Sequence, residues 1–338
     1  MNGYLQEVLT QGKLLKKAVL FYRNEGRLSI DSIRDTFRKK QMDRVVLTGM
    51  GSSLYAIDCI RGYLTQHGIP AVSFSSHELS RYQFNHITPT TLVVAISQSG
   101  NSAEVIELVE KAKKITAVVG IFNNEDCKLQ AMAEYKLPIR AEKEVSITSK
   151  TYEITMLILN VLARALTGEL DDGFWTQAEM TAEWCCEWLE NWREQSQAMC
   201  DFAQGLELFD LLANGASLAT ARQLSLAHRE GLRNCAAVWE CADYAHGQYH
   251  SSKMGERYLA QMFFPVFAGD TKEMKMFDFI LNHGGKVMVY TASEIHGGDR
   301  IHVVKMPALP ETLMPMAESV AAETMLGLLF GDGWVKDH

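Results

Sequence analysis

Val93-Val94-Ala95-Ile96-Ser97-Gln98-Ser99-Gly100-Asn101-Ser102-Ala103-Glu104-Val105 is the stretch on which the reading of this chain turns. Its first four residues are apolar and mostly β-branched, as in a buried strand. The pattern then breaks into small hydroxyl and amide residues around a glycine, before helix-like spacing begins. A parallel strand that empties into a Ser/Gly turn at a helix start offers backbone N–H groups without an intrahelical partner, a ready site for an anion. Ser97, Ser99 and Ser102 would add hydroxyls, and Gly100 would let the backbone come close. The same residues have a plainer reading, in which Asn101 or Ser102 caps a helix over 101–114 and the serines are ordinary turn residues. On this stretch alone both readings stand.

Working outward, residues 45–49 read as a short strand running into Met50-Gly51-Ser52-Ser53, followed by a helix over 54–67. Further strands are predicted at 71–75, 91–97, 116–122 and 135–139, with helices between them. That alternation calls for a parallel sheet covered on both faces, with ligands at the carboxyl ends of the strands. The turns at 51–53 and 97–102 both lie at that end, where they could converge on one anion. Glu144 to Lys150 precedes a long apolar helix over 152–166, with Ser149 or Thr148 as its cap. Three hydroxyl-bearing helix starts in one unit favour the anion reading.

The flanks are helical. Leu5, Val8, Leu9, Leu14, Leu15 and Val19 fall at helix spacing, so residues 4–40 read as a lead-in helix pair packing on a neighbour. Over 169–205, Trp175, Trp184, Trp188 and Trp192 among charged residues describe an amphipathic helix, whose rings belong to core packing rather than to base stacking. A second alternating unit follows: a strand at 208–213 ending in Asn214-Gly215, a helix over 217–233, strands at 258–267, 286–292 and 301–305, and an apolar helix over 315–330. The chain therefore reads as an internal duplication of α/β units of about 120 residues. The predicted organisation is a helical lead-in at 1–43, a first domain at 44–168, a helical linker at 169–206 and a second domain at 207–338. The counterpart of the serine turn in the second copy is Phe267-Ala268-Gly269-Asp270-Thr271-Lys272, whose carboxylate would repel phosphate. One phosphate site per chain is expected.

Composition narrows the function classes. The apolar runs in these 338 residues are too interrupted to span a bilayer, and residues 1–17 lack the apolar core of a signal peptide, so a cytoplasmic location is expected. A net charge of −8 argues against a nucleic-acid or anionic-membrane partner. Seven scattered cysteines without a C-x-x-C pair read as buried thiols.

The second half supplies acid–base candidates. Glu230 falls near the end of the helix over 217–233, and Asp243-Tyr244-Ala245-His246-Gly247 follows, with His250 close behind. Carboxylate and imidazole are the side chains most readily tuned to move protons near neutral pH. Taken bare, Glu230 between Arg229 and Arg233 equally fits a solvated helix position, and His246 an ordinary loop residue.

With these residues in view, the chain resembles the double-SIS-domain (sugar isomerase) phosphosugar family, to which the isomerase half of glucosamine-6-phosphate synthase and the fructosamine-6-phosphate deglycases belong. Gly51-Ser52-Ser53 matches the family's Gly-Ser/Thr-Ser turn, and Ser97 to Ser102 matches its Ser-Gln-Ser-Gly-x-Ser/Thr in full. Ser76-His77-Glu78 resembles its Ser-x-Glu segment, and Glu144 to Lys150 resembles Glu-x-x-Val-Ala-Ser-Thr-Lys. Aligning Asn214-Gly215 with the strand-end glycine of the family places its Lys-Glu on Arg229-Glu230. Its Gly-Glu-Leu/Phe-x-His-Gly-Pro then falls on residues 242–248. This sequence departs there, with Ala242-Asp243 for Gly-Glu and Gln248 for the proline. The resemblance covers about 44–330.

The resemblance implies two tandem flavodoxin-like α-β-α sandwiches and chemistry on a 6-phosphorylated sugar. Gly51, Ser52, Ser53, Ser97, Gln98, Ser99, Ser102 and Ser149 would bind the substrate. Glu230 would carry a proton between C1 and C2, and His246, supplied by a neighbouring subunit, would open the ring. No metal or cofactor is implied. The expected activity is that of a phosphosugar isomerase, or of a deglycase acting on an amine conjugate, in a homodimer or dimer of dimers. Met1-Asn2 offers no N-terminal cysteine and no glutaminase domain is present, so glutamine dependence is not expected. The alternative is a sensory or regulatory phosphosugar-binding protein that does not catalyse.

Overall fold

Each alternating stretch builds its own five-stranded, all-parallel sheet in the computed structural model, which describes residues 1–266 and 271–336. The chain separates into two compact units, one of residues 11–183, the other of residues 1–10 with the chain from Trp184 on.

In the first unit the strands are β1 (Arg44–Gly49), β2 (Ala71–Ser75), β3 (Thr91–Ile96), β4 (Val118–Phe122) and β5 (Tyr135–Pro138), in the order β2-β1-β3-β4-β5. β1 and β3 are adjacent, with Val46 opposite Val93 and Thr48 opposite Ala95. Because β3 is covered on both faces, all six of its residues are buried and those from Leu92 to Ile96 are apolar throughout rather than alternating. This is the flavodoxin-like order, in which connections leave β1 and β3 in opposite directions and open a crevice between their carboxyl ends. The two serine turns follow those strands. Helices α2 (Gln11–Arg23), α3 (Arg27–Lys39), α4 (Ser52–Tyr55), α5 (Asp58–Gln66), α6 (Ser76–Arg81), α7 (Ala103–Ala112), α8 (Lys128–Met132) and α9 (Lys150–Thr167) complete this unit; the first short helix, α1 (Gly3–Val8), belongs to the other. α9 is buried along nearly its whole length, between α2, α3 and α5.

A 31-residue helix, α10 (Asp172–Phe202), leads into the second sheet. Trp175, Trp188 and Trp192 are buried on it, and the Trp188 ring N–H donates to Thr324. The strands β6 (Leu208–Ala213), β7 (Ala236–Glu240), β8 (Tyr258–Phe263), β9 (Lys286–Thr291) and β10 (Ile301–Lys305) take the order β7-β6-β8-β9-β10, which repeats that of the first sheet. Around them lie α11 (Leu218–Ala227), α12 (Cys241–Tyr244), α13 (Lys272–Asn282) and α14 (Met314–Leu329). α14 is buried from Met314 to Gly327 and packs on α11 and α1.

Several elements differ from expectation. The lead-in pair is three helices, and the first packs on α14, where the Leu5 side chain fills the space that a β-carbon on Gly327 would need. The helix expected over 54–67 begins at Ser52 and breaks between α4 and α5. β7 was not anticipated; it is a half-exposed edge strand whose Ala236-Ala237 start lacks the β-branched signature. The strand expected to reach 267 ends at Phe263, ahead of Pro265, and the helix expected to reach 233 ends at Ala227 and passes into a π-helical turn, His228–Leu232. Of the segment compared with the serine turn, Phe267, Ala268, Gly269 and Asp270 lie outside the described residues.

Candidate functional site

The two serine turns of the first unit are drawn together by glycines. A β-carbon on Gly49, the last residue of β1, would lie 3.1 Å from the Ile96 carbonyl oxygen and 2.9 Å from the Ser53 β-carbon, so the ends of β1 and β3 close up only without one. Gly51 then turns the chain at φ 52°, ψ −129°, a conformation costly to any residue with a side chain, and α4 begins at Ser52. Ser52 is buried and Ser53 half-buried.

After β3, the Ser97 N–H donates to Ile121, and its hydroxyl accepts from the Gly100 N–H at 3.1 Å. The Ser97 and Ser102 hydroxyls lie 3.0 Å apart. Ser102 occupies the N-cap position of α7 but makes no side-chain capping bond. Asn101 does not cap α7 either: its side-chain oxygen accepts from the Lys128 N–H, the first of α8. The plain capping reading therefore fails here. Gly100, at φ 67°, lies so close to Cys127 that an added β-carbon would meet its sulfur at 2.1 Å. Asn123 ties the turn to the segment after β5, donating its backbone N–H to Gln98 and its amide to Glu142, and accepting from the Ala141 N–H. In that segment Arg140 and Glu142 both hold φ at 60°, a strained conformation for residues with side chains. An open pocket of about 630 Å³ lies beside the turn, lined by Gln98, Ser99, Asn101, Asn123, Arg140 and Lys143 among others.

Ser149 stands differently. It is fully buried at the start of α9, and its N–H and that of Thr151 donate to the Glu144 carboxylate at 3.0 and 3.2 Å. The Thr151 hydroxyl donates to the same group. This helix start already holds an anion, the chain's own, so the expected third open start is occupied. Glu144 lies five residues upstream of Ser149, outside the spacing of a capping box, which is why the sequence pattern did not reveal it.

In the second unit the turn after β6, the counterpart of Gly51-Ser52-Ser53, also meets carboxylates of the chain itself. The Ala216 N–H donates to Glu311 at 3.2 Å, and the buried Glu318 of α14 accepts from the hydroxyls of Ser217 and Thr220 at 2.9 and 2.8 Å. Burial pushes the Glu318 carboxyl up to about 7, against the pull of those two hydroxyls. These two carboxylates stand at the turn after β6, the counterpart of residues 51–53; Asp270, expected at the counterpart of the 97–102 turn, lies outside the described residues.

Glu230 sits half-buried in the π-helical turn, and its carboxylate makes no hydrogen bond or ion pair with any described residue. The turn closes on Arg233 at φ 57° and is braced by buried His228, whose ring bonds the Asn234 side chain at 2.9 Å. Burial lowers the His228 pKa. His246 is exposed, two residues beyond α12, with Gln248 opening a 3₁₀ segment in place of the family's proline. Beneath α12 the hydroxyl of Tyr258 donates to Asp210 at 2.8 Å and stands 2.7 Å from that of Tyr244. Among the described residues no hydrogen bond or ion pair joins Glu230 to His246. Nor is any group of three or more His, Cys, Asp or Glu among them arranged to hold a metal ion. Four of the seven cysteines are buried, but Cys235 is exposed, ahead of the edge strand β7, so it departs from the buried-thiol expectation. No described helix is long and apolar enough to cross a membrane.

Residues 38–165 match the SIS domain model and form a SIS domain. The glutamine–fructose-6-phosphate aminotransferase (isomerizing) of Pyrococcus horikoshii is 24% identical over 341 residues, which cover 95% of this chain and 53% of that protein. Its Thermotoga maritima counterpart is 28% identical over 242 residues, covering 68% of this chain and 38% of that protein. The chain thus spans about half, or less, of the length of these relatives. Among solved structures, the C-terminal domain of the Francisella tularensis glucosamine-fructose-6-phosphate aminotransferase superposes with a TM-score of 0.87 at 18% identity, covering 100% of this chain and 99% of that one. The tagatose-6-phosphate ketose/aldose isomerase of Escherichia coli gives 0.80 at 17% identity, covering 100% and 97%. These likenesses establish the tandem SIS-type fold for both units.

Proposed function

We propose that the protein is a phosphosugar isomerase or deglycase acting on a 6-phosphorylated ketose or aldose, or on its amine conjugate. The observation that carries this reading is the start of α7: a ten-residue helix without a side-chain cap, beside the paired hydroxyls of Ser97 and Ser102, at the switch point of a parallel sheet. Gly51, Ser52, Ser53, Ser97, Gln98, Ser99 and Ser102 are assigned to the substrate, its phosphate taking the serine hydroxyls and the N–H groups of the two helix starts. Ser149, engaged with Glu144, is assigned only a supporting place at the edge of the site.

Glu230 is assigned the proton transfer. As base it takes the proton from one of C1 and C2 and returns it to the other through an enediol, while the carbonyl oxygen gains a proton and the neighbouring hydroxyl gives one up, so that aldose and ketose interconvert without net oxidation. With an amine at C1 the corresponding enolamine gives an imine, which water hydrolyses to an aldose phosphate and the free amine. His246 is assigned to ring opening, in a homodimer or a dimer of dimers. The reaction proposed uses no glutamine. Mixing the pure protein with fructose-6-phosphate amine conjugates and following released amine and glucose-6-phosphate tests the reading. Turnover lost in Glu230→Gln supports it; the absence of turnover in the parent protein on these conjugates and on the free hexose phosphates sinks it.

A second reading is favoured by the altered surroundings of His246, where Ala242-Asp243 and Gln248 stand in place of the family's Gly-Glu and proline. In it the protein binds the phosphosugar as a sensor or regulator. Tight binding of glucose-6-phosphate combined with no exchange of the C2 hydrogen into solvent would select it.

A further inference from the structure

The π-helical turn that carries Glu230 is gripped from outside by the segment that follows α14. A β-carbon on Gly231 would lie 2.0 Å from the ring edge of Phe330, so the ring rests directly on the backbone next to Glu230. Trp334 adds a hydrogen bond, its ring N–H donating to the Gly231 carbonyl at 3.1 Å. The Phe330 and Trp334 rings lie 4.9 Å apart, and buried Tyr4 of α1 packs against both, at 4.9 and 6.5 Å. Asn2 anchors the same segment, its amide donating to the carbonyls of Gly327 and Gly331 at 2.7 and 2.9 Å. Within the turn, the ring of buried His228 bonds to the Asn234 side chain at 2.9 Å.

A π turn needs such support, because it gives up regular i→i−4 bonding and survives where its surroundings fix it. It also leaves carbonyls without regular helical partners, and Trp334 satisfies one of them. The Glu230 side chain itself bonds to nothing described, so its position is set by the backbone beneath it. We propose that Phe330 and Trp334 are positioning residues for Glu230, holding the backbone of the turn so that the carboxylate meets the substrate carbons in a productive geometry. The inference rests on the assignment of Glu230 as the proton carrier.

The test uses the full chain carrying Trp334→Phe, which keeps an aromatic ring and removes the N–H. Misplacing a catalytic group by a fraction of an ångström to an ångström costs about 10- to 100-fold in rate. Expected are a fall in kcat of that size at an unchanged KM, unchanged binding of glucose-6-phosphate and an unchanged thermal midpoint. Amide hydrogen exchange over 228–232 should also rise several-fold, a readout that does not depend on turnover. Exchange and kcat both within twofold of the parent overturn the proposal, as does a loss of kcat fully accounted for by unfolded protein. Glu230→Gln is run alongside. If it abolishes turnover while Trp334→Phe changes neither readout, the positioning role alone falls; if Glu230→Gln keeps full turnover, the assignment of Glu230 falls and the positioning role with it.

Discussion

The hydroxyls of Ser97 and Ser102 stand 3.0 Å apart across the turn after β3, and the helix that Ser102 precedes has no side-chain cap. A serine at an N-cap ordinarily accepts from the helix's own N–H groups. Here its hydroxyl pairs with that of Ser97 instead, and the helix start is left without a side-chain cap. Ser102→Ala is therefore expected to weaken binding of a hexose 6-phosphate by about 10- to 100-fold, the value of one or two hydrogen bonds to a charged group. It should leave the thermal midpoint nearly unchanged, since no cap is lost. Titration calorimetry with glucose-6-phosphate checks this, and binding within twofold of the parent would remove Ser102 from the site.

How much of this was readable in the sequence depends on the range of the interaction. The serine turn, β3 and the order of events in the first sheet are local patterns, since a doubly covered strand is apolar throughout and a phosphate turn needs glycine and hydroxyls in fixed succession. The contacts that distinguish one helix start from another are not local. Glu144 reaches across a loop to Ser149, Glu318 comes from α14 to Ser217, and Asn101 spends its side chain on α8. No periodicity encodes such contacts. The π turn at Glu230 was likewise hidden, because its residues continue the helical pattern of α11 and its bracing by Phe330 and Trp334 comes from about a hundred residues downstream.

Gly100 is held by two requirements at once, φ of 67° and the nearness of Cys127. Gly100→Ala is expected to destabilise the first unit by about 2–4 kcal/mol, combining left-handed strain with overpacking. Cys127→Ala in the same chain should recover only part of this, because the Cys127 β-carbon would still lie 2.6 Å from the new methyl group. Urea unfolding of the single and double variants gives the comparison; full recovery in the double variant would mean that the backbone conformation carries no cost.

Glu144 serves α9 as a built-in anion, accepting from the N–H groups of Ser149 and Thr151. Its removal uncovers those donors at a helix buried along most of its length. Glu144→Ala should cost about 1–2 kcal/mol, the range for losing an N-terminal cap with its favourable helix-dipole interaction. Added phosphate should restore part of the lost stability if the vacated start accepts an external anion. Thermal melts with and without phosphate measure both effects, and a variant as stable as the parent would show that water replaces the carboxylate at no cost.

Glu318 makes folding sensitive to pH in a direction opposite to that of an ordinary ion-paired carboxylate. Its folded-state pKa is raised to about 7 by burial, whereas in the unfolded chain it titrates as a normal glutamate. Between those values the folded form binds the proton more tightly. Its contribution is therefore fully present below the unfolded pKa and is lost as pH rises toward 7, by about 3 kcal/mol at most. Glu318→Gln keeps a hydrogen-bonding group beside Ser217 and Thr220 without the charge. The variant should match the parent near pH 5 and exceed it in stability near pH 7.5, with the difference growing across that interval. Urea unfolding at the two pH values measures it; a difference that does not grow with pH would mean that Glu318 stays ionised in its buried place, with the two hydroxyls enough to hold the charge.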